Sequence, residues 1–219
     1  MTTMEDADAK PTTPRRKVTT ADLRRVNLGK AFWGSRSDLI QHQQTRELVM
    51  RYRRNIVEMA RTGSGLMFNG PLGVGKTSAA ACVLKEAVAA GLSAYFVTHT
   101  ELKELRFEKK DLLFGDGTDG ITVRKKIETT NVLVIDGLNE PFFTDNVFGT
   151  LQLEELLTKR YSEKLATILT TRSGATLKLE KHADLFDLVS QCMVPVQMTG
   201  KNMRDKDREA LKSRVFGDD

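Results

Sequence analysis

Cysteine is nearly absent from this 219-residue chain, with Cys82 and Cys192 the only two. Two cysteines cannot make a disulfide framework or a cysteine-rich zinc module. The three histidines, His42, His99 and His182, stand apart from one another at no metal-ligand spacing, which argues against a histidine-built metal site. Aromatic residues make up 6% of the chain, with a single Trp, so the core is expected to rest on Leu, Val, Ile and Ala. No stretch approaches the roughly 18 consecutive apolar residues of a membrane span. The opening Met1-Thr-Thr-Met-Glu-Asp-Ala-Asp8 has neither the basic start nor the apolar run of a secretory signal. These absences predict a cytoplasmic protein with no membrane partner. The length and the 40% hydrophobic content suit one compact domain with a short extension.

What charge there is lies unevenly. The net charge is +5, but residues 1–19 carry four basic and three acidic groups, residues 20–62 nine against four, and residues 63–219 21 against 22. The excess precedes the bulk of the chain. Between Thr45 and Ala60, Leu48, Val49, Tyr52, Ile56, Val57 and Met59 recur at three- and four-residue steps, the pattern of an amphipathic helix. Its other face displays Arg46, Arg51, Arg53 and Arg54, either a solvated helix face or a contact for a polyanion. Residues 1–19, rich in Thr with Pro11 and Pro14, read as a flexible tail.

Beyond residue 62, short apolar runs alternate with helical stretches. The runs are 65–69, 94–98, 131–136, 166–171 and 194–198, and the helices between them include one through Val88, one from Glu101 to Phe107, one from Val147 to Tyr161 and one from His182 to Ser190. A charged, glycine-rich loop surrounds Gly115 to Gly120. This alternation predicts an α/β fold with a five-stranded, mostly parallel sheet flanked by helices. Asn131-Val-Leu-Val-Ile-Asp136 is continuously apolar and β-branched up to its carboxylate, as suits a strand buried on both faces.

Gly70-Pro71-Leu-Gly73-Val74-Gly75-Lys76-Thr77, followed by Ser78, fits the P-loop pattern and lies between a predicted strand and a predicted helix. Glycines let backbone N–H groups turn inward around phosphate oxygens, and the helix start adds partial positive charge. In such a loop Lys76 reaches the β- and γ-phosphates and the Thr77 hydroxyl ligates magnesium. Asp136, at the carboxyl end of its strand, is the second candidate magnesium residue. The expected ligand is ATP with Mg.

These residues resemble the DnaC/IstB-type branch of the AAA+ ATPases, the bacterial and phage helicase loaders and transposition helpers, over about Asn27 to Arg204. The resemblance rests on the basic helix followed by Leu66 to Thr77, Gly91-Leu-Ser-Ala-Tyr-Phe-Val-Thr98 with Glu101 to Leu105, Val132 to Asp136, Lys159-Arg160-Tyr161 and Gly200-Lys-Asn-Met-Arg204. It implies a P-loop NTPase of AAA+/ASCE type. With 21 residues after Met198, no C-terminal helical lid is expected. The expected division is a tail (1–19), a basic helical arm (20–62), the ATPase core (63–210) and a C-terminal tail (211–219). By the resemblance, Phe32 and Trp33 either pass over the adenine or anchor the start of the domain. Arg204 is the expected nucleotide-proximal arginine, and Arg172 is either a phosphate sensor or surface.

Three positions depart from the family pattern. The second acid that usually follows the Walker-B Asp is replaced by Gly137, with Glu140 three residues on as a substitute. The usual Thr-Ser-Asn sensor reads Thr170-Thr171-Arg172, and the Ser-Arg-Leu that often supplies an arginine finger reads Ser190-Gln191-Cys192. Lys76, Asp136, Glu140 and Arg204 are therefore the candidate catalytic residues, with slow or partner-dependent hydrolysis expected. The implied partners are single-stranded DNA through the basic arm, a replicative helicase and further copies of the chain in an ATP-dependent oligomer. A transposition helper, a non-hydrolysing adaptor and, less favoured, a nucleoside-phosphate kinase are the alternatives.

Overall fold

The structure, a computed structural model, describes residues 14–104, 123–139, 147–173, 182–203, 205, 208 and 213–215. Five strands form one sheet: β1 (Gly65–Gly70), β2 (Ala94–Thr98), β3 (Val132–Leu138), β4 (Ala166–Arg172) and β5 (Met193–Gln197). Their order is β2-β3-β4-β1-β5, and every neighbouring pair is parallel. The expected α/β architecture is therefore present, with the sheet parallel throughout. The insertion of β4 between β1 and β3 sets Thr170 between the P-loop strand and the Asp136 strand.

Strand residues alternate between two apolar layers, as the two-residue period of a strand requires. Leu66, Phe68, Phe96, Val132, Val134 and Ile168 face α1 (Thr20–Arg25), α2 (Gln43–Arg54), α3 (Ile56–Thr62) and α4 (Lys76–Ala89). Met67, Tyr95, Val97, Leu133, Ile135 and Leu169 face α6 (Val123–Thr129), α7 (Val147–Ser162) and α8 (Ala183–Cys192). A short α5 (His99–Glu104) follows β2 directly. Burial of each such side chain contributes about 1.5–3 kcal/mol, and both sheet faces are covered, which is why these strands read as continuous apolar runs. Helix α4 is packed on nearly all sides, and its Ala79, Ala80, Ala81 and Cys82 are small enough for close approach to the sheet.

The arm differs from its expected form in three ways. The single helix predicted for Thr45–Ala60 is two, divided at Asn55, whose side-chain amide bonds back to the Arg51 carbonyl at 3.2 Å. Such local bonding is why Asn breaks helices. Arg53 is not on the outward basic face: it donates to Glu86 Oε2 of α4 at 2.7 and 3.1 Å and to Ser37 Oγ at 2.5 Å. Residues at the end of the expected tail also dock, with Arg16 N–H on the Ala89 carbonyl at 2.9 Å and Arg15 Nε on Glu86 Oε1 at 2.6 Å. Helix α6 was not legible in the sequence, because its seven residues carry only Val123 and Ile127 as an apolar pair one turn apart.

Phe32 and Trp33 anchor the arm. Phe32 stacks on Phe96 of β2 with centroids 6.5 Å apart. The Trp33 indole donates to the Leu28 carbonyl at 2.8 Å beneath the Arg24 guanidinium, and Lys85 of α4 donates to the Trp33 and Ser35 carbonyls. Across the outer edge of β2, Phe96 N–H bonds to the Val26 carbonyl, and Asn27 Nδ2 donates to the Phe96 carbonyl and to Glu101.

Candidate functional site

Strand β1 ends at Gly70, and the chain turns through the P-loop into α4. Gly73 (φ +78°) and Gly75 (φ +93°) hold left-handed backbone that a side chain would strain. A Cβ on Gly73 would also fall on the Asn202 side chain. Gly75 is the N-cap of α4 and offers no side-chain cap, so the first N–H groups of the helix stay turned toward the loop. Val74 is buried beneath it, and Ser78 is half-buried in the first turn of the helix.

Lys76 is buried and lies under its own loop, donating to the Gly70 and Pro71 carbonyls at 2.7 and 2.6 Å. Thr77 Oγ1 donates to Asp136 Oδ1 at 2.9 Å. Thr170 Oγ1 donates to the same carboxylate oxygen at 2.7 Å and accepts the Gly137 N–H at 2.8 Å. The start of α4 and strands β3 and β4 thus converge on Asp136. Hydroxyl and carboxylate oxygens beside a cradle of backbone N–H groups form the hard donor set that suits magnesium with a phosphate. Thr77 and Asp136 would hold that ion, which would supply charge neutralisation on the phosphates.

The β3–β4 register shifts between Ile135 and Leu138, so one extra residue of β3 is accommodated at Asp136-Gly137. Bulges of this kind re-aim side chains next to active sites. Gly137 (φ +86°) is the residue that makes this turn of the backbone cheap. Its presence where a second acid was expected thus has a local structural reason. A Cβ there would lie 3.3 Å from His99 Nδ1. The His99 ring is half-buried, and burial, with Lys103 and Arg172 nearby, lowers its pKa against the opposing influence of Asp136.

Arg172 is exposed at the end of β4, opposite Gly70 in the register, and Ser173 N–H bonds to the Gly70 carbonyl at 3.2 Å. Glu140 and Arg204 lie outside the described residues. Gln191 is exposed near the end of α8. Sequence reasoning missed three contributors. Met203 N–H donates to the Gly73 carbonyl at 2.9 Å, which brings the segment after β5 onto the P-loop. His99 stands over Gly137. Arg160, wholly buried, donates to Thr167 Oγ1 and to the Ile127 and Ala166 carbonyls at 2.7–2.9 Å. Burial pushes its pKa down to about 9, so the guanidinium is charged at neutral pH. No sequence signal marks the first two, whereas the Arg160-Tyr161 pair was visible without its structural reason.

Among the described residues no group of His, Cys, Asp and Glu could hold a further metal, and no helix is long and apolar enough to cross a membrane. The fold resembles the DnaC helicase loader (22% identity, TM-score 0.62, covering 78% of this chain and all of that one). It also resembles DnaI (20%, 0.61, 80% of this chain and 94% of that one) and AMPPCP-bound DnaA from Aquifex aeolicus (13%, 0.51, 78% and 51%). No curated protein matches the chain. The model of the family described as IstB-like ATP binding protein matches residues 40–210, a span that holds the P-loop, Asp136 and Thr170. The chain therefore belongs to the IstB-like ATP-binding family, on the AAA+ fold also seen in helicase loaders.

Proposed function

We propose that the protein binds ATP with magnesium through residues 70–78 and Asp136, and uses the nucleotide to control its contact with single-stranded DNA and a replicative helicase. The observation that carries this reading is the Thr77–Asp136 hydrogen bond across the mouth of the P-loop, with Lys76 poised beneath it. Hydrolysis is slow or partner-dependent, and subunits associate when ATP is bound. Arg204 and Glu140 are assigned nucleotide-proximal roles by motif position alone. With Arg53 held by Glu86, the DNA contact falls to Arg46, Arg51 and Arg54, of which Arg51 is exposed.

The test is equilibrium binding of a fluorescent ATP analogue by the full chain, with and without magnesium, beside Lys76→Ala. Magnesium-dependent binding lost in Lys76→Ala is expected; equal binding by both proteins would overturn the assignment. DNA contact through phosphates should weaken steeply with salt, and binding indifferent to salt or to Arg46→Glu with Arg51→Glu would refute the arm's role. A second reading, a transposition helper, is supported by the chain's membership of the IstB-like ATP-binding family. Retention of a transposase rather than a replicative helicase on the ATP-loaded protein would select it.

A further inference from the structure

Phosphoryl transfer to water requires a group that aligns the water with the γ-phosphorus. At the C-terminal ends of β2, β3 and β4 most described polar side chains are already engaged. Thr77 and Thr170 both donate to Asp136 Oδ1. The Thr98 hydroxyl donates to Glu101 Oε2 at 2.8 Å and accepts the Glu101 N–H, and the Thr171 hydroxyl lies 3.2 Å from Asn69 Oδ1. Arg172 is a cation with no lone pair to offer.

His99 differs from all of these. It follows Thr98, which stands opposite Asp136 in the β2–β3 register. Its ring fills the space beside Gly137: among the described residues, a Cβ at residue 137 would find Nδ1 at 3.3 Å and Cε1 at 3.9 Å and no other neighbour within 4 Å. A neutral imidazole has one N–H and one bare nitrogen that can accept a hydrogen bond.

We infer that His99 orients the attacking water: its imidazole, seated over Gly137 beside Asp136, accepts a hydrogen bond from the water that attacks the γ-phosphate. This role rests on the ATP reading above. The water oxygen forms the new bond to phosphorus as the bond from phosphorus to the bridging oxygen breaks, and that electron pair leaves with ADP. One water proton stays on the released phosphate and the other passes to solvent, so the ring is neutral before and after. Gly137 gives the ring its room, and the bulge at Asp136-Gly137 brings ring and carboxylate to one edge.

The experiment compares wild type, His99→Ala and His99→Gln for binding of a non-hydrolysable ATP analogue and of ADP with aluminium fluoride, a mimic of the transferring phosphoryl group. Single-turnover phosphate release is measured in parallel. His99→Ala should keep ATP-analogue affinity within about twofold while losing about tenfold or more for the mimic, since an interaction made in the transition state discriminates between the two. Phosphate release should fall about 100-fold. His99→Gln, whose side-chain carbonyl can accept the same hydrogen bond, should recover part of both. If His99→Ala does not fold, His99→Phe replaces it in the comparison. Equal losses for both ligands, no loss for either, or a wild type that releases no phosphate with or without single-stranded DNA would overturn the role of His99. A wild type that fails to bind the ATP analogue would instead overturn the nucleotide reading.

Discussion

Thr170 and Asp136 are joined by a 2.7 Å hydrogen bond between neighbouring strands, and the same Thr170 hydroxyl accepts the Gly137 N–H at 2.8 Å. One hydroxyl therefore fixes both the carboxylate and the bulged backbone that carries it. Thr170→Val keeps the shape and removes both bonds, leaving a buried-edge N–H and a carboxylate oxygen short of a partner. The expected loss is about 1–3 kcal/mol in urea unfolding, with a weaker magnesium dependence of ATP-analogue binding, and Thr170→Ser should behave as wild type. A Thr170→Val protein with unchanged stability and magnesium response would contradict this arrangement.

Glu86 holds the arm to α4 through Arg15 and Arg53, with side chains only partly exposed. Glu86→Gln removes the charge that both guanidinium groups share. A loss of about 2 kcal/mol is expected, below the roughly 3–5 kcal/mol of breaking a fully buried pair. Trp33, the single tryptophan, sits in the arm and gives a direct fluorescence readout of its release. Unfolding followed by Trp33 should shift earlier than unfolding followed by far-UV circular dichroism; superimposable curves at the wild-type midpoint would show that Glu86 does not tether the arm.

Arg160 ties α7 to β4 and to the end of α6 through three neutral acceptors. Arg160→Leu relieves the burial of a charge but orphans two backbone carbonyls, and a net loss of about 2–4 kcal/mol is expected from unsatisfied acceptors at about 1–3 kcal/mol each. Arg160→Lys should not rescue it, because one ammonium cannot span acceptors arranged for a planar fork. Denaturant midpoints of the three proteins measure this directly.

The Arg16 guanidinium, with Thr19, holds the Asp22 carboxyl well below the usual carboxylate range. A lowered folded value stabilises the charged form, so the contribution is full above the unfolded carboxylate pKa and is lost as pH falls through the folded one. Docking of α1 should therefore be constant from pH 8 to about 5 and weaken only below about pH 4. Amide exchange of α1 across that range should show the decline, and Asp22→Asn should abolish its pH dependence. A wild-type decline centred near pH 6 would point to another group.

Much of this architecture is determined by local sequence. Strands β1 to β4 are legible because both sheet faces are covered and the middle of each strand is mostly apolar, and the P-loop is legible because its glycines, Lys76 and Thr77 act through backbone geometry within eight consecutive positions. The pairing of Thr77 with Asp136 was also foreseeable, since both oxygens were expected at one ion. Other features depend on contacts between distant segments. Arg53 belonged by periodicity to a basic face, yet Glu86, 33 residues away, turned it inward. Gly137 read as a lost acid, whereas in the folded chain it is the left-handed residue of a bulge, and only the parallel alignment of β2 with β3 sets His99 beside it. Periodicity reports which residues are buried; tertiary structure alone decides which buried or half-buried polar groups meet, because such pairings join residues with no regular spacing in sequence.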